Sequence, residues 1–158
     1  MASHRELNDL IRLFLDRSLP RSEWTHEAHL SVGLWHIREY GTAEAMKRLR
    51  TAISQLNESY GNANTSTAGY HETITRAYVE LLTQFIRRYP DDCSPDRILD
   101  DLLASPLALR DALLAFYSRD YLYSSAARLA WAEPDVAPLD LAHLLSVTPT
   151  PPSESRFP

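Results

Sequence analysis

Apolar positions recur along this chain at helical spacing, and almost nowhere do they alternate as strands require. Leu7, Leu10, Ile11, Phe14 and Leu15 share one face behind Ser3-His4-Arg5-Glu6, a capping-box spacing, and predict a first helix that stops before Leu19-Pro20. A second helix follows Thr25, a suitable N-cap, and runs to Tyr40, where Gly41 offers a left-handed terminus. Thr42 is placed to cap a third, with Met46, Leu49, Ile53, Leu56 and Tyr60 on its buried stripe. After a polar run over 57–69, longer than a usual helix connection, a fourth helix starts between Thr65 and Tyr70 and ends at Tyr89. Its stripe is Ile74, Tyr78, Leu81, Leu82 and Phe85.

Ser94-Pro95 and Ser105-Pro106 each pair a cap with a proline at the first helical position, predicting helices over 95–104 and 106–117. Another is expected over 120–132, closed by Glu133-Pro134, and a short piece near 140–146. The expectation is an all-α, compact single-domain bundle of about six helices over residues 1–147, with the second and fourth helices as central neighbours. The tail from Thr148 to Pro158 holds four prolines and little to bury, so it is expected to be disordered.

Composition narrows the function classes. A chain of 158 residues, 44% apolar and 23% charged, is one domain with a proper core. A net charge of −5 argues against nucleic acid as a partner. Cys93 has no intrachain partner, which suits a reducing compartment. The amphipathic start lacks a signal-peptide core, and the longest apolar run, Ala112 to Tyr117, is too short to span a bilayer. A cytoplasmic protein with no membrane partner is expected.

The candidate chemistry lies in two stretches. His26 and His29, in Trp24-Thr25-His26-Glu27-Ala28-His29-Leu30, stand three apart on the helical face continued by Gly33 and Ile37. His71, in Gly69-Tyr70-His71-Glu72-Thr73-Ile74-Thr75, heads the stripe of the fourth helix. Early positions in a helix disfavour imidazolium and keep a ring neutral. Three neutral rings from two helices can supply three legs of a zinc, iron or copper site. Glu72 is then the first choice for general base, with Tyr70 and Thr75 as orienting groups. Asn62, Asn64 and Thr65 are candidates for the pocket mouth, although a turn using their local backbone bonding explains them at least as well.

Sharper motifs fail. His26-Glu27-Ala28-His29 is one residue short of the zinc-protease spacing, and His71-Glu72-Thr73-Ile74-Thr75 ends in Thr where that motif needs His. No phosphate loop and no nucleophile elbow occur. His4, His36 and His143 carry less weight: the first is near the terminus, the second flanks the stripe and the third falls in a short late helix.

The W-T-H-x-A-H-L and G-Y-H-E-T-I-T stretches, with Asn64-Thr65 and Trp131-Ala132-Glu133-Pro134-Asp135, resemble a group of small uncharacterised bacterial helical proteins over roughly residues 20 to 140. The resemblance implies no activity, cofactor or substrate. It bears only on whether the histidines cluster by chance. The leading expectation is a small enzyme acting on a small molecule, hydrolytically or oxidatively, through one divalent metal on His26, His29 and His71. The alternatives are a metal-free enzyme using His71 as its acid–base group on an apolar small molecule, and a module that only binds a ligand or partner.

Overall fold

The computed structural model describes residues 6–147, so Ser3 and the tail expected over 148–158 lie outside the described residues. Those residues fold as helices and 3-10 turns without a strand. The longer helices are α1 (Leu7–Asp16), α2 (His26–Tyr40), α3 (Thr42–Ser59), α4 (Glu72–Ile86) and α5 (Pro95–Leu103). Shorter ones follow: α6 (Arg119–Leu122), α7 (Ser125–Leu129) and α8 (Leu141–Val147). The all-α bundle expected from the apolar spacing is therefore present.

The second helix is the axis of the molecule. Leu30, Ser31, Val32, Gly33, Leu34, His36 and Ile37 are all buried, which wraps α2 almost completely. A helix buried all round belongs at the centre, and α1, α3, α4 and α5 pack around this one. Gly33 permits the close approach of α4: a Cβ there would sit 2.8 Å from Leu82 Cδ1. The stripe of α4 is core as expected, with Leu81, Leu82 and Phe85 buried and Ile74 and Tyr78 half-buried.

Several boundaries differ from expectation, each for a local reason. Thr42 is the first residue of α3, not its cap; its hydroxyl instead meets that of Thr83 on α4 at 2.9 Å. Gly41 does have positive φ, but with an extended ψ of 167°, so it turns the chain sharply between two helices without making a left-handed cap. The start of α4 falls later than predicted, at Glu72.

The helix expected over 106–117 is instead two 3-10 turns, Pro106–Ala108 and Ala112–Ala115. The chain becomes extended at Leu109, and this break supplies a wall of the site described below. The helix expected over 120–132 is split because Ser124 restarts it: its hydroxyl accepts from Ala127 N–H and donates to the Tyr121 carbonyl.

From 130 onward the chain is a strap fastened to the bundle. Thr73, fully buried on α4, donates its hydroxyl to the Ala130 carbonyl and accepts from Ala132 N–H. Tyr117 and Tyr121 donate to the Ala132 and Glu133 carbonyls, and Asp135 accepts from Ser118. Trp131 lies under the Arg76 guanidinium, 4.2 Å from ring centre to Cζ. The Trp131-to-Asp135 stretch is thus accounted for by fastening.

Candidate functional site

His71 is the N-cap of α4, one residue before the helix, with extended backbone. Its Nδ1 accepts from Ile74 N–H at 3.1 Å, satisfying one of the donors that every helix start leaves open. Accepting there requires a bare Nδ1, so the proton sits on Nε2, which donates to the Leu122 carbonyl at 2.8 Å. Both ring nitrogens are therefore in use. Burial holds the imidazolium form of His71 below its ordinary range, and Arg128 pushes the same way against the Leu122 bond. The ring is a buried bracket between α4 and α6.

His26 and His29 do share a cavity, of about 610 Å³, between the start of α2, α4 and the 107–123 segment. Its apolar wall comes from Leu30, Ile74, Leu113 and Leu122, and its aromatic wall from Trp24, Tyr78 and Tyr123. Thr25 caps α2 by accepting from Ala28 N–H, which sets the direction of both histidines. His26 Nε2 donates to the Leu107 carbonyl at 3.2 Å, leaving Nδ1 without a proton and without a partner among the described residues. His29 Nδ1 donates to the Thr25 carbonyl at 2.7 Å, and its ring stacks on Trp24 at 3.7 Å between centroids.

One face of the His29 ring is covered by Trp24, and the residue is otherwise exposed beside the cavity. Arg110 and Asp111 stand exposed at the cavity mouth, and neither side chain makes a hydrogen bond or ion pair with another described residue.

The acidic and polar candidates lie elsewhere. Asn64, Thr65, Tyr70 and Glu72 line a second cavity of about 440 Å³ with Arg50, Arg128 and Trp131, and the two linings share no residue. Glu72 is gripped by Arg50 through two bonds, of 3.0 and 2.8 Å, and accepts from the Tyr70 hydroxyl at 2.8 Å. The Arg50 contact holds its carboxyl below the usual carboxylate range. Thr75 spends its hydroxyl on the His71 carbonyl.

Asn64 is a loop clasp. It donates to the Ser54 carbonyl at 3.0 Å and accepts from Tyr70 N–H at 2.9 Å. The turn beside it needs Gly69, where φ is +84° and a Cβ would fall 2.6 Å from Asn64 Oδ1. Asn62 lines neither cavity and meets Arg21 at 3.5 Å.

A three-histidine centre needs three bare nitrogens aimed at one point, about 2.0–2.2 Å from the ion. His71 has none to give, and no group of three or more His, Cys, Asp or Glu among the described residues is arranged to hold a metal. The expected zinc, iron or copper centre on His26, His29 and His71 does not fit this arrangement, because the third ring is consumed by its helix cap. Glu72, Tyr70 and Thr75 likewise do not gather around His26 and His29.

Comparison of the chain with models of known protein families, with curated proteins and with solved structures finds no match. Among the described residues no helix is long and apolar enough to cross a membrane.

Two features escaped the sequence. His36 is a core residue, buried and bonded through Nδ1 to the Val32 carbonyl at 2.8 Å, with Phe14, Trp35 and Tyr40 around its ring. The far wall of the cavity comes from a segment whose helical spacing hid its break at Leu109.

The buried histidines make stability depend on pH. Desolvation lowers the pKa of His36 and His71, both buried, from 6.5. The unfolded chain therefore binds more protons than the folded one below about 6.5, and folding stability is lost as pH falls from there toward the folded values. The urea midpoint should be lower at pH 5.5 than at pH 7.5. An equal or higher midpoint at pH 5.5 would contradict the neutral state of these rings.

Proposed function

We propose that the cavity at the start of α2 binds a small, largely apolar molecule, and that His26 acts on it as a metal-free proton acceptor. The observation that carries this reading is the tautomer of His26. Its Nε2–H is committed to the Leu107 carbonyl, so a bare Nδ1 remains, and a ring held through one nitrogen presents the other in a fixed direction. A cavity of about 610 Å³ in which apolar and aromatic walls surround several convergent polar side chains is a form that suits a small molecule. His29 stands beside His26 as a second neutral ring, and its stacking on Trp24 keeps it rigid. The acid–base role passes from His71, whose nitrogens are spent, to His26.

Aniline and toluene test this reading, because they share an apolar ring and only aniline has N–H donors. With EDTA present, both should shift the NMR signal of the Trp24 indole, with aniline binding about fivefold tighter, as one hydrogen bond allows. In His26→Ala that preference should vanish. The wild-type protein should also release nitrophenolate from 4-nitrophenyl acetate faster than His26→Ala does. Binding without that difference makes the protein a ligand-binding module, and no shift with either ring removes the pocket reading altogether.

A further inference from the structure

Among the polar groups of this cavity without work in the acid–base reading, Tyr78 is the one on α4. Tyr78 lies one turn beyond Ile74 on α4, and its ring meets that of His26 edge-on at 5.5 Å between centroids. Its hydroxyl bonds to no other described residue. Yet no buried side-chain nitrogen or oxygen in a half-buried or buried described residue lacks a partner, so this hydroxyl is not sealed in the core but opens on the cavity it lines. Tyr123, half exposed on the same cavity, shares this state, whereas five other tyrosines do not. Tyr60, Tyr70, Tyr89, Tyr117 and Tyr121 all donate to protein oxygens.

Burial pushes the Tyr78 hydroxyl above its ordinary range, with Tyr123 and Asp111 adding to the effect, so it stays protonated and remains a donor. The cavity therefore holds a donor, Tyr78 O–H, and an acceptor, His26 Nδ1, on side chains whose ring centres lie 5.5 Å apart. A polar group pointed into a largely apolar space is costly until something pairs with it. A ligand that answers both must carry an acceptor and an N–H or O–H donor close together at one end of an apolar body.

We propose that Tyr78 is a specificity-determining residue of this cavity, and that the ligand class is an apolar or aromatic primary carboxamide. Its carbonyl oxygen accepts from Tyr78 while its N–H donates to His26. This rests on the reading of the cavity as a small-molecule site, and extends it from a donor-bearing ligand to one that also brings an acceptor.

Benzamide and aniline separate the two levels, since both donate N–H from an aromatic ring and only benzamide adds a carbonyl. Calorimetric titration of the full chain should show benzamide binding about tenfold tighter than aniline, the scale of one added hydrogen bond in a desolvated site. Tyr78→Phe keeps the ring, so the fold should survive, as its circular dichroism and urea midpoint would report. In that variant benzamide should fall to the affinity of aniline, and aniline should be unchanged. If aniline binds the wild type and benzamide binds no tighter, Tyr78 does not select the ligand and this inference fails alone. Equal weakening of both probes by Tyr78→Phe would also overturn it, as the mark of a structural role. If neither probe binds, the cavity reading itself falls.

Discussion

His71→Ala should destabilise the protein by about 3 kcal/mol, although its ring reaches no ligand. The substitution removes an N-cap, worth about 1 kcal/mol. It also strands the Ile74 N–H and the Leu122 carbonyl, each costing about 1–3 kcal/mol where water cannot replace the ring. These terms overlap, because loosening α6 lets water reach the freed groups. His71→Asn should recover about 1 kcal/mol of the loss, since asparagine is a good cap but is too short to hold Leu122 as well. Urea unfolding of the three proteins at pH 7.5 gives the answer. A loss below about 0.5 kcal/mol in His71→Ala would show that the ring is not the bracket between α4 and α6.

Phe85→Ala is expected to cost about 3–5 kcal/mol, the range for emptying an aromatic site in a packed core. Phe85 is 2% exposed at the end of the α4 stripe, alongside Leu81 and Leu82, and faces the interior between α4 and its neighbours. Arg87 is exposed two residues later and makes no side-chain bond, so Arg87→Ala should cost under about 0.5 kcal/mol. Similar losses from both substitutions would mean that α4 is rotated from the orientation described.

The long helices were legible because their information is local. Thr25 before and Gly41 after bound α2, and Ser94-Pro95 opens α5 where it should. Helical spacing could not reveal the break at Leu109, since Pro106, Leu107, Ala112 and Leu113 are buried in 3-10 turns with much the same periodicity. Nor could it distinguish a histidine at the head of a stripe from one just outside the helix. The start of α4 was uncertain by several residues, and that margin decided whether His71 was a ligand or a cap.

Local spacing alone determined the helical class of this chain and the placement of His26 and His29 at neighbouring points on one helix. Each follows from which side chains a 3.6-residue repeat brings together and from the need to bury the apolar ones. Only the tertiary structure decided which ring nitrogens remain free. The carbonyls of Leu107 and Leu122, distant in sequence, claim one nitrogen each from His26 and His71, while Ile74 N–H claims the second from His71 alone. A histidine's chemistry is set by what its other nitrogen holds, and that partner comes from a part of the chain that sequence spacing does not reach.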